Sequence, residues 1–289
     1  MTGPSSTPLP ETHRVQLPDG RAVAYLDAGD PDGYPVVSQH GGLSCRLDVA
    51  PADAAARAHG LRLIAPDRPG IGRSDPKPGH TVAGWADDVG GLMDHLGVDR
   101  FATIGWSFGG AFAQAVAHGQ GDRVDHLTLV ASVIPPDWPG MQDEIDRMDR
   151  VFHALTQHRL GRFTERSILH LMSLSARHAP KAFGRSAGVD ATHAEVVAAA
   201  IAEGTAHGAG VVTEYQAVNT PWGFDPSQIA VPTHVWQGDA DDLVPPEWGH
   251  RLHDAIDGST LSVVPGASHF LWYDHWDDLF ASITEARRP

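Results

Sequence analysis

Short apolar runs, separated by loops and by stripes of helical period, organise the first 133 positions of this chain. His13 to Leu17 and Arg21 to Asp27 flank the turn sequence Pro18-Asp19-Gly20 and predict an opening antiparallel hairpin. Buried strands are expected over Pro35–Gln39, Leu61–Ala65, Phe101–Ile104 and Leu127–Val133. Between them, the alanine-rich Ala50–His59 reads as a helix. Trp85–Leu96 reads as a second, with Trp85, Val89, Leu92, Met93 and Leu96 on one face, and Ala111–His118 as a third. Strands alternating with helices or loops predict a mostly parallel sheet covered on both faces, an α/β fold.

That alternation stops at Ile134. The 97 residues from Ile134 to Ala230 contain no convincing strand, far too many for an ordinary crossover. Met141, Ile145, Met148, Phe152 and Leu155 recur at helical spacing, and Phe163, Ile168, Leu171 and Leu174 make a weaker stripe. Thr192-His193-Ala194-Glu195 has the form of a capping box that opens a further helix reaching Ala206. The alternation resumes with a strand at Thr233–Gln237, a helix at Pro246–Ile256, a strand at Thr260–Val264 and a last helix at Trp276–Ala286. The expected organisation is therefore a core domain in two parts, residues 1–133 and 231–289, interrupted by a helical cap at residues 134–230.

A net charge of −15 argues against a non-specific grip on nucleic acid or on an anionic membrane. Cys45 is the only cysteine, so no internal disulfide and no cysteine-based zinc site can form, and nothing around it marks it as an activated nucleophile. Residues 1–11 are rich in Pro, Ser and Thr and lack the apolar core of a signal peptide. No apolar run approaches the ~18 to 20 residues of a membrane span. A cytoplasmic location is the resulting expectation, with the first ten residues loose.

The stretch Ile104-Gly105-Trp106-Ser107-Phe108-Gly109-Gly110 joins an apolar strand to a helix. A serine flanked by glycines at such a turn forms a nucleophile elbow, its oxygen held out at the carboxyl end of the sheet beside the positive end of a helix. Serine needs a base, and the base an orienting acid. His269, five residues beyond the last strand, is placed to be the base, with His275 as a spare. The loop after the Thr233 strand offers Asp239, Asp241 and Asp242 as the acid; three clustered aspartates also raise the question of calcium, but a calcium cage takes six or more oxygens in a loop of different form. A tetrahedral oxyanion requires backbone donors. The amide of Phe108 at the helix start is one, and the loop carrying Gly41-Gly42 should supply the other.

Taken together, His40-Gly41-Gly42, the loop Asp67 to Ser74, Gly105-Trp106-Ser107-Phe108-Gly109, Gly238 to Pro245 and His269 resemble the ordered motifs of the α/β-hydrolase fold superfamily, from about residue 13 to the end of the chain. The resemblance implies that Asp241 is the acid, from the pattern Gly238, Asp241, Val244, Pro245, and that Gly42, or Leu43 as second choice, donates the other oxyanion amide. It makes His40 and the Asp67 loop structural supports. Ser107 at the elbow departs from the aspartate of haloalkane dehalogenases and epoxide hydrolases of this fold. Leu43-Ser44 departs from the Gly-Gly-Pro-Gly loop of prolyl iminopeptidases.

The expected function is a cofactor-independent, metal-free serine hydrolase acting on a small-molecule carboxylic ester or lactone with an apolar portion. Carbon–carbon bond hydrolysis, perhydrolysis and a ligand receptor with vestigial turnover are the alternatives. Leu43, Trp106, Trp138, Phe152 and Trp222 are the candidates for the substrate pocket, with Phe163, Phe183 and Phe224 as further cap aromatics.

Overall fold

The computed structural model describes residues 11–144, 150–151, 154–155, 159–186 and 189–287. Eight strands form one sheet in the order β1-β2-β4-β3-β5-β6-β7-β8. Strands β1 (Thr12–Gln16) and β2 (Ala22–Gly29) are the expected hairpin, paired antiparallel, and β2 is also antiparallel to β4 (Leu61–Pro66). From β4 onward every pairing is parallel, through β3 (Tyr34–Gln39), β5 (Phe101–Trp106), β6 (Val124–Val130), β7 (Thr233–Gly238) and β8 (Thr260–Val264). Central β5 is buried at all its residues, as a parallel strand covered on both faces must be.

Helices α1 (Asp53–Ala58) and α10 (Trp276–Glu285) pack on each other, as do α2 (Trp85–His95) and α3 (Phe108–Gly119), while α9 (Pro246–Ala255) lies on β7 and β8. The α2 face expected from the sequence is the buried one: Trp85, Val89, Leu92 and Met93 are fully enclosed.

Several boundaries differ from expectation. Residues 46–52 form a 3-10 turn with Pro51 inside it, so only Asp53–Ala58 of the expected Ala50–His59 helix is α-helical. Strand β6 runs Val124–Val130 instead of Leu127–Val133, because Ala131 enters the left-handed region (φ +44°) and ends it. The strand before the elbow extends to Trp106, and the helix after it begins at Phe108 instead of Ala111.

The described part of the segment between β6 and β7 contains helices α4 (Met141–Glu144), α5 (Arg159–His178), α6 (Pro180–Ser186), α7 (Ala194–Gly204) and α8 (Ala209–Val218), and no strand. Of the first expected stripe, Ile145, Met148 and Phe152 lie outside the described residues. The second stripe falls on the wrong side for a core: Phe163, Ile168, Leu171 and Leu174 are exposed, and α5 buries Glu165, Leu169, Ser173 and Ala176 instead. The capping box is not formed. His193 occupies the N-cap of α7, the Thr192 amide donates to Asp190 Oδ1 at 2.8 Å, and Glu195 pairs with Lys181 at 3.2 Å.

Buried charge ties this helical segment to the sheet. Arg46, wholly buried, pairs with Asp67 at 2.6 Å and with Glu203 of α7 at 2.8 Å. Arg68 pairs with Glu214 of α8 at 2.5 Å, with both side chains about 1% exposed. Trp248 Nε1 of α9 donates to Glu144 of α4 at 2.6 Å. Among the described residues, no single helix is long and apolar enough to cross a membrane.

Candidate active site

The turn from β5 into α3 sets the geometry of the centre. Ser107 has φ +57° and ψ −125°, a conformation that costs a non-glycine residue of order 1–3 kcal/mol and persists only where its surroundings enforce it. The Ser107 amide donates to Val130 O at 3.0 Å, and its carbonyl accepts from Gly110 N at 2.9 Å. Neighbouring backbone leaves no room for side chains on either flank. A Cβ on Gly105 would sit 2.3 Å from Gly109 O, and one on Gly109 would sit 2.1 Å from Gln39 O. These approaches are why glycine stands two residues before and two after the serine.

Ser107 and His269 line one cavity of about 790 Å³ between the carboxyl ends of the strands and helices α4 to α8. His269 Nδ1 lies 2.9 Å from Asp241 Oδ2, in a buried contact. Asp241 Oδ1 in turn accepts from Leu243 N at 2.9 Å and Val244 N at 2.8 Å. The loop backbone thus orients the carboxylate, and the carboxylate orients the ring, leaving Nε2 as the nitrogen free of that pairing. The neighbouring aspartates are used otherwise: Asp239 Oδ1 accepts from Gly266 N at 2.6 Å, and Asp242 is exposed at the cavity. His275 pairs with Asp278 at the start of α10. Trp106 donates its indole N–H to His269 O at 2.9 Å, so the residue before the serine also anchors the histidine.

The loop after β3 is built on buried polar groups. His40 Nδ1–H donates to Gly41 O at 2.8 Å, and its Nε2 accepts from Arg68 N at 3.3 Å. That pairing requires a neutral ring, and burial together with Arg68 pushes its pKa well below the usual value. Arg68 also donates to His40 O at 2.7 Å and Gly41 O at 3.2 Å and lies over the Phe112 ring. Asp48, pushed up to about 7 by burial, accepts from Gly41 N at 3.1 Å. With the Gly41 amide so occupied, the next amides, of Gly42 and Leu43, are the ones available at the cavity, which both residues line. Leu43 has φ +61°, a second strained position beside the serine. Phe108 opens α3, so its amide is one of the donors a helix start leaves unpaired. Cys45 is buried, and burial raises its thiol well above the usual value, which leaves it unreactive.

A scan against family models matches the alpha/beta hydrolase fold over residues 34–275. The chain belongs to this family. The strand order, with an antiparallel strand pair ahead of a parallel run, and the serine turn after β5 are that fold as it stands in this chain. Among α/β hydrolases, a non-heme chloroperoxidase from Streptomyces lividans is 39% identical over 42% of this chain and 45% of its own length. A bifunctional esterase/perhydrolase from Acinetobacter calcoaceticus is 35% identical over 42% of this chain and, again, 45% of its own. The chain thus spans under half the length of these relatives. A solved thermophilic esterase from Thermogutta terrifontis is 25% identical, with a TM-score of 0.69 over 95% of this chain and 97% of that one.

The pocket is only partly the one expected from an α/β hydrolase sequence. Leu43, Trp106 and Phe183 line it; Phe152 lies outside the described residues. Trp138 and Trp222 are not among the lining residues. Trp222 turns its indole N–H back to Val218 O at 3.0 Å and packs on Phe224, and Trp138 lies beneath the Arg251 guanidinium. Phe163 is 69% exposed. The wall is completed by residues that aromatic content did not reveal, among them Met172, Val197, Ile201 and Val218. Val197 and Ile201 stand one turn apart on α7, a spacing that was readable.

Proposed function

We propose that this α/β hydrolase is a cofactor-independent serine hydrolase of carboxylic esters or lactones with an apolar portion. One observation carries the reading: Ser107, on its strained turn, and His269, tied through Nδ1 to the buried Asp241, open into the same cavity. In this mechanism His269 Nε2 takes the Ser107 proton as Oγ attacks the substrate carbonyl, then returns a proton to the leaving alkoxide. Asp241 fixes the imidazole tautomer and stabilises the imidazolium. Amides of Phe108 and Gly42 receive the oxyanion, each such donor being worth about 10²–10³ in kcat. Water, deprotonated by His269, then releases the acid from Ser107.

The lining supports an apolar substrate. Val133, Met172, Val197, Ile201 and Leu243 contribute apolar walls, and among the described residues lining it Asp242 and His269 are the acidic and basic side chains. Initial rates on p-nitrophenyl esters of increasing acyl length test the reading. Turnover above that of Ser107→Ala, peaking at one chain length, is expected; rates equal to the mutant's at every length contradict it.

The esterase/perhydrolase relative favours a second reaction on the same residues, in which hydrogen peroxide replaces water and the acyl group leaves as a peracid. Peracid formation from an ester and peroxide that disappears with Ser107→Ala tests it.

A further inference from the structure

Helix α5 presents an unusual surface for so acidic a chain. Along α5 stand Arg159, Arg162, Arg166 and Arg177 against the single acid Glu165, while Lys181 of α6 is paired with Glu195 of α7 at 3.2 Å. Glu165 is fully buried on the inner face of α5, so no acid of this stretch reaches the surface. The outer face carries Phe163 at 69% exposure and Leu171 at 65%, together with the partly exposed Ile168 and Leu174. At 3.6 residues per turn, Phe163, Leu171 and Leu174 fall on one side of the helix. Arg166, His170 and Arg177 form the strip beside them, all three exposed. The inner side of the same helix contributes Met172 to the cavity that holds Ser107.

From this arrangement we infer that α5 is a docking face for an anionic lipid surface, lying in its plane with the apolar side down and the arginines toward the headgroups. An amphipathic helix with large apolar side chains exposed and a basic strip is the form that binds the boundary between headgroups and acyl chains. The net charge of −15 averages over this patch. Screening over about 8 Å at physiological salt lets the local arginines act on a surface they touch while the distant acids are damped. Charge complementarity selects the occupant: pairing α5 with its copy would set Arg166 and Arg177 of one molecule beside those of the other. Docking there would bring the cavity wall to a surface in which apolar esters partition. That consequence rests on the proposed hydrolase reading; the docking itself does not.

Co-sedimentation of the full chain with phosphatidylglycerol–phosphatidylcholine vesicles, against phosphatidylcholine alone, tests the inference. Binding to the anionic vesicles that weakens as salt rises is expected. Phe163→Ser/Leu171→Ser and Arg166→Glu/Arg177→Glu should each lower vesicle affinity about tenfold or more while turnover of a water-soluble ester is unchanged. Ser107→Ala should bind vesicles like the parent protein, which keeps this outcome separate from the catalytic one. Absence of binding to anionic vesicles, or undiminished binding by both double variants, overturns the inference. So does a concentration-dependent dimer that Phe163→Ser/Leu171→Ser abolishes, since a second copy then covers the face.

Discussion

Asp241→Asn removes a charge and keeps the shape of the side chain, and the surrounding hydrogen bonds dictate how the new amide must turn. Leu243 N and Val244 N both donate to Oδ1, at 2.9 and 2.8 Å. They hold the oxygen of an asparagine at that position and turn its NH2 toward His269 Nδ1, where Oδ2 now stands at 2.9 Å. Nδ1 must then accept, so the ring proton moves to Nε2, the nitrogen that has to take the serine proton. Imidazolium also loses its counter-charge. A wrong tautomer of this kind costs about 10⁴ in kcat, or about 5.4 kcal/mol of transition-state stabilisation. Stability should change little, because both backbone bonds survive. Gln237 Nε2 loses only its long 3.4 Å donation to Oδ2 and keeps those to Gly238 O at 3.2 Å and Val244 O at 3.4 Å. Steady-state hydrolysis of a p-nitrophenyl ester, run beside Asp239→Asn and Asp242→Asn, measures the effect. Activity of Asp241→Asn within about tenfold of the parent, or an equal loss in either neighbour, would refute the reasoning.

Three further outcomes are expected from buried groups. Glu165 has neither carboxylate oxygen partnered, and burial pushes it up to about 7 from an ordinary value of 4.5. The folded state therefore holds a proton that the unfolded state has lost, and Glu165 subtracts stability as pH rises from about 4.5 to 7. Glu165→Gln should gain about 3 kcal/mol on the parent between pH 4 and pH 8 in urea unfolding; parallel pH profiles would count against the assignment. Glu214→Gln strands the buried Arg68 guanidinium and should cost about 3 kcal/mol by the same assay, more than Arg68→Met/Glu214→Leu, which removes both charges; the opposite ranking contradicts it. Gly109→Ala drives a Cβ into Gln39 O and His40 O, both backbone, and should lower Tm by about 6 °C or more; an unchanged Tm would show that β3 yields freely.

Much of the fold was legible because short apolar strands and a glycine-framed serine leave local signatures. The boundaries misread were set by local backbone form: residues 46–52 wind as a 3-10 turn before α1, and Ala131 ends β6 at a positive φ that alanine does not advertise. At the site, spacing left three aspartates open, and the motif resemblance preferred Asp241. The structure pairs that residue with His269 and gives Asp239 and Asp242 other surroundings. The pocket was less readable. Aromatic residues were expected in its wall, yet Trp222 and Trp138 satisfy neighbours within the helical segment and at α9. The residues that do line it mix aliphatic side chains with other aromatics, Tyr215, Trp248, Phe270 and Tyr273 among them, and which side of each helix they occupy depends on how the helices pack. Glu203 and Glu214 carried no sequence signal, since their importance comes from Arg46 and Arg68 more than 140 positions away.

The central claim is that Ser107 is the nucleophile, and covalent trapping tests it most directly. Incubation with a fluorophosphonate, followed by peptide mass spectrometry, should find one adduct on Ser107 and none in Ser107→Ala. An adduct on another residue, or labelling undiminished in that variant, would contradict the account.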